Sequence, residues 1–136
     1  MANYGLAPKL PLSYAEGEGP YSMITQYDAL LQQNMKMLLL TSPGERIMIP
    51  TYGVGLKRAI FQQNTEEVRN AIRERIQEQI ATFLGYVTVQ SIDIFSEENS
   101  DLPPNYINIT IRYFVPSLSY SQVLSLLANS DTQTIV

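Results

Sequence analysis

A stretch dense in proline and glycine, TSPGERIMIPTYGVGLKRAIF at residues 41–61, lies between two segments with helical periodicity. It holds Pro43, Gly44, Pro50, Gly53 and Gly55, with the acid Glu45 beside the base Arg46. Proline removes a helical hydrogen bond and clashes with the preceding turn, so one continuous helix cannot cross this region. The chain must break into two helices joined by a shaped connection.

The segment before the break places Ile24, Tyr27, Leu31, Met35 and Leu38 on one face, at spacings of three and four. Ser22 suits its N-cap, and Ser42-Pro43-Gly44 stops it. Its end, MKMLLL, is apolar nearly all round, which predicts burial on more than one side. The segment after the break starts with Asn64 as cap and Glu67 three residues on, a capping-box spacing. Val68, Ile72, Ile76, Ile80 and Phe83 then form an apolar stripe, and Gly85 ends it. Arg69, Arg73, Glu74 and Glu78 read as the solvated face, while Glu66 and Glu67 suit the positive end of the helix dipole.

Two strands follow. YINITIRYFV (106–115) alternates, with Ile107, Ile109, Ile111, Tyr113 and Val115 on one side and Asn108, Thr110 and Arg112 on the other. In YVTVQSIDIF (86–95) the apolar positions change phase between Val87/Val89 and Ile92/Ile94. Either a bulge near Ser91 or coverage of both faces would account for that. SEENSDLPPN fits a long hairpin loop, because Pro103 and Pro104 cannot donate to a ladder. The expected fold is a small α+β domain with two main helices on an antiparallel hairpin sheet. Residues 1–20, rich in glycine and proline, read as an extended N-terminal arm, 21–116 as the core domain, and 117–136 as a tail whose SYSQVLSLLAN (119–129) reads as a short helix.

At 136 residues the chain suits one domain with a real core. A net charge of −4 without a long basic run argues against nucleic acid. With no cysteine there are no disulfides, thiolate metal sites or cysteine nucleophiles, and with no histidine the commonest general base and metal ligand is missing. The N-terminus has no apolar run of signal-peptide length and nothing nears ~20 apolar residues, so neither ordinary secretion nor a membrane span is expected. Two carboxylates suffice for glycoside hydrolysis when ~5 to 9.5 Å apart. Of the acids, Glu16 and Glu18 fall in the arm, Glu97, Glu98 and Asp101 in the hairpin loop, and Glu66 and Glu67 in a helix cap. Glu45 has a base for a neighbour, and Gly53-Val54-Gly55 lacks the context of a dinucleotide loop. No catalytic residue, cofactor or metal is expected.

LLLTSPGERIMIPTYGVGLKRAIF, residues 38–61, resembles the phage baseplate wedge proteins of the gene 25-like, or protein W-like, group, to which a type VI secretion baseplate subunit is related. The matching parts are Thr41, Pro43, Gly44, Glu45, Arg46, Pro50, Tyr52, Gly53, Gly55, Leu56 and Phe61, with the helix and two strands in the family's order over roughly residues 20–116. Many members carry Glu-Pro-Arg before the first of those strands; here the positions hold Leu84-Gly85-Tyr86. The resemblance implies a structural, non-enzymatic part of a contractile tail baseplate, located in the virion and assembled in the host cytoplasm. Its implied partners are other wedge subunits, the tail sheath, and hub or tube proteins, with no nucleic acid and no membrane. Its β-hairpin would start the first sheath ring. The expected interaction residues are Gly44, Glu45, Arg46, Tyr52 and Gly53 in the loop, and Ile107, Ile109, Thr110, Ile111, Arg112 and Tyr113 in the strand. Arg46 is expected to grip a carboxylate or backbone carbonyls with its planar fork. Strand 106–115, with one charge and its proline only at the end, is expected to offer an open edge for strand addition. The alternatives are a lysozyme-like peptidoglycan hydrolase of the tail and a regulatory binding module on the same fold.

Overall fold

The computed structural model describes residues 5–14, 20–63, 65–96 and 106–129. Glu16, Glu18, Asn64, Glu97, Glu98, Asp101, Pro103 and Pro104, used in the sequence reading, lie outside the described residues. The chain forms two compact units, Met1–Lys36 and Met37–Val136.

In the first unit, β1 (Ala7–Pro8) pairs antiparallel with β2 (Met23–Ile24). The Leu6 amide donates to the Ile24 carbonyl, the Lys9 amide to Ser22, and the Ser22 amide to Ser13. These bonds occupy the backbone of residues 22–24, so α1 (Tyr27–Leu40) begins later than the expected cap at Ser22. Asp28 sits in the first turn, where its Oδ1 accepts from the Ala29 amide at 2.8 Å. Gln33 fastens the arm: its Nε2 donates to the Pro8 carbonyl and its Oε1 accepts from the Leu10 amide. An open cleft of about 350 Å³ lies beside it, lined in part by Lys9, Leu10, Met23, Ala29 and Lys36.

The second unit begins with the last turn of α1, where Leu38 and Leu39 are buried. The irregular segment ends in a short helix that the sequence reading did not separate, α2 (Leu56–Ile60). Helix α3 (Glu66–Phe83) is capped by Thr65, whose side chain accepts from the Val68 amide; the capping residue is thus one position after the expected Asn64. Ile72, Ile76 and Ile80 are buried along its stripe, as is Gln79.

Strands β3 (Thr88–Ser96), β4 (Tyr106–Val115) and β5 (Tyr120–Asn129) form one antiparallel sheet in the order β3-β4-β5. The register steps from Val89↔Tyr113 to Ser91↔Arg112, so Gln90 is the extra residue of a β-bulge. That bulge accounts for the phase change. Past it, Ile92 and Ile94 face the same side as Val89, opposite Ile111 and Ile109.

The segment 119–129 forms a strand instead of the expected helix. Its Tyr120, Gln122, Leu124 and Leu126 lie opposite Val115, Tyr113, Ile111 and Ile109, which completes a buried face. An isolated helix shorter than ~12 residues is marginal, whereas this pairing satisfies a whole strand's backbone against β4. A 3-10 turn at Pro116–Leu118 and Ser119 at φ 51° reverse the chain. The consequence is that β4 is the central strand, and the expected open edge at 106–115 does not exist. The edges are β3 and β5. The outer edge of β3 is interrupted by its bulge and by Arg73, whose Nε donates to the Ile92 carbonyl at 3.3 Å. Arg73, read as part of a solvated face, is therefore an edge guard. Helix α3 packs against β3, and α2 against β5.

Candidate functional site

Residues 41–55 form a loop tied down at its base and bare at its tip. At the base, Thr41 continues α1, with its amide and hydroxyl both donating to the Met37 carbonyl. Ser42 and Glu45 then close a reciprocal turn. The Ser42 amide donates to Glu45 Oε2 at 3.0 Å, and the Glu45 amide donates to the Ser42 carbonyl at 3.1 Å. Gly44, at φ 91°, gives the turn its left-handed residue, and its amide donates to the Pro50 carbonyl at 2.8 Å. That bond is the neck of the loop.

Beyond the neck, the chain presses against α1 and α3. Gly53 is at φ 109°, and a β-carbon there would stand 2.1 Å from the Thr41 carbonyl oxygen, so no other residue fits without displacing backbone. Its buried amide donates to Gln79 Oε1 at 2.8 Å. Amides of Val54 and Gly55 donate to the carbonyls of Leu38 and Thr41. From α3, Arg75 Nη2 donates to the carbonyls of Thr51 and Gly53, while its Nη1 pairs with Glu78 Oε2 at 3.1 Å. One helix thereby holds the loop by a buried amide oxygen and a guanidinium fork.

Tyr52 packs edge-on against Phe83, with ring centroids 4.9 Å apart at 68°. The Arg46 guanidinium lies 4.1 Å above the Tyr52 ring. Burial pushes the Tyr52 phenol above its ordinary pKa, and the Arg46 charge opposes that rise. Among the described residues Arg46 thus stacks on an aromatic face and has no carboxylate partner, while Glu45 serves the turn. At the tip, Ile47 is 94% exposed and Met48 92% exposed.

The loop candidates Gly44, Glu45, Arg46, Tyr52 and Gly53 lie together in this one structure. The strand candidates divide. Ile109, Ile111 and Tyr113 are buried in the core, Ile107 shares their side of the sheet, and Thr110 and Arg112 point to the opposite side. Sequence reasoning missed Gln79 and Arg75, and it did not single out Ile47. A signal for Gln79 was present: a polar residue on the apolar stripe between Ile76 and Ile80 needs a partner.

The profile of the family described as baseplate wedge protein gp25 matches residues 25–117, which span α1, the whole loop, α3, β3 and β4. The chain belongs to the gp25 baseplate wedge family. As a gp25-family wedge protein it is a structural component of a tail baseplate, and other baseplate subunits are its partners. Among curated proteins none matches it. The fold is similar to that of a Geobacter sulfurreducens protein solved under the name of a tail lysozyme, with a TM-score of 0.67 and 18% identity over 83% of this chain and 99% of that one. It is also similar to a chain of the anti-feeding prophage baseplate, with a TM-score of 0.56 and 20% identity over 90% of this chain and 83% of that one. At these identities the likeness is one of fold.

Proposed function

We propose that this gp25-family chain is a non-catalytic part of the inner wedge of a contractile tail, in the virion, and that it joins wedge subunits to the first sheath ring after assembly in the host cytoplasm. The observation that carries this reading is the family match across the tied-down loop, where backbone and side chains hold one surface in place. Rigid presentation lowers the ordering cost of docking, which suits a joint between several subunits.

The sheath contact belongs at β5. Because Arg73 takes the Ile92 carbonyl from outside, Ile92 turns away from β4. Outward and inward groups alternate along an antiparallel ladder, so its partner Ile111 turns toward Leu124, and Val123 and Ser125 turn outward. The β5 sequence YSQVLSLLAN has no charge and no proline to block pairing with an added strand. A proline at Ser125 should leave the sheet folded and baseplates formed, with sheath unable to start. Normal sheath on such baseplates would remove β5 as the contact.

A second reading, peptidoglycan hydrolysis, draws on the likeness to the protein named as a tail lysozyme. Against it, Glu45 is engaged as a turn acceptor beside Ser42. The purified chain is expected to release no peptidoglycan fragments. Release that disappears in Glu45→Gln would establish the hydrolase instead.

A further inference from the structure

We infer that Ile47 and Met48 are anchors that enter an apolar socket, with a carboxylate at its rim, on another subunit of the baseplate. The inference rests on the structural baseplate reading above and adds the chemistry of the partner surface. Two neighbouring apolar side chains at 94% and 92% exposure are not part of this chain's own core. Nor do they sit on a loose turn, because Gly44–Pro50 closes the neck and Gln79 and Arg75 hold the segment behind it. Apolar groups held out by a fixed backbone have the form of interface anchors, which fill pockets at the centre of a docked surface.

Charge selects the partner. The Arg46 guanidinium lies flat on Tyr52, and its N–H donors have no acceptor among the described residues. An acceptor arriving edge-on beside the tip would meet a preoriented fork, and a carboxylate is its best match. A lipid surface fits poorly, since Glu45 adjoins the tip and the chain carries a net charge of −4.

The test places a photo-crosslinking residue at position 48 of the full chain, made within the tail particles that normally contain it. Crosslinks to one other baseplate subunit are expected. Separately, Ile47→Asp with Met48→Asp should lower incorporation into particles on the order of ten-fold, with the melting temperature of the isolated chain unchanged. Arg46→Lys, which keeps the charge but loses the fork, should lower it by a smaller factor. If the wild-type chain enters particles and the double variant enters equally well, the socket is wrong while the baseplate reading stands. Crosslinks to lipid or to a second copy of this chain would also overturn the socket. A wild-type chain absent from particles would overturn both readings.

Discussion

Gly53 shows how much of the loop depends on single residues. Its φ of 109° and the Thr41 carbonyl beside it leave no room for a side chain. Gly53→Ala should therefore cost about 2–4 kcal/mol, combining backbone strain with overpacking. Thermal denaturation should register a fall on the order of 10 °C. Gly85→Ala is the control: its nearest contact would be an ordinary 3.5 Å and its φ is not restrictive, so little change is expected. Tyr52 gives a pH-dependent reading of the same place. Its phenol is raised by burial and held back by Arg46, so the folded protein binds that proton more tightly than the unfolded chain does. Its contribution to stability is complete below the unfolded value of about 10 and is lost as pH rises through the higher folded value. Subtracting the ultraviolet titration of Tyr52→Phe from that of the native chain should place Tyr52 above ordinary tyrosine. Arg46→Met should move it higher still. The sequence made the glycines and prolines of this loop legible because their constraints are local. Which way Arg46 and Ile47 point depends on the neck bond and on Phe83, contacts that no local rule contains.

At the scale of elements, the apolar stripe of α3 and the alternation of β4 were readable directly from their spacing, and the phase change in β3 left a bulge or coverage of both faces, between which the register decides for the bulge. What local pattern could not supply was competition between structures. Residues 119–129 have spacing that suits a short helix, but β4 offers them a full strand to pair with, and that partner lies outside the segment itself. Removal of residues 120–136 should thus leave a two-stranded hairpin and a bare β4 edge, and two strands alone are marginal in water. Such a truncated chain is expected to lose its cooperative unfolding transition and to aggregate, measured by circular dichroism and light scattering. Helix α3 carries its own test. Gln79→Leu would leave the buried Gly53 amide without its 2.8 Å acceptor, and a loss of roughly 1–3 kcal/mol is expected in chemical denaturation.

For the molecule as a whole, two features complement each other: a loop fixed at its base with an apolar tip, and a sheet with one edge guarded by Arg73 and a bulge while the other bears neither charge nor proline. These are the two surfaces on which the proposed docking rests. Membership of the gp25 family places it in the baseplate, the setting of the joint proposed above. The most direct measurement is electron microscopy of tails made by the encoding phage or prophage after deletion of this chain's coding sequence, with the chain resupplied in a parallel culture. Without it, no baseplate-capped, sheathed tails should form, and resupply should restore them. Complete contractile tails in its absence would contradict the account.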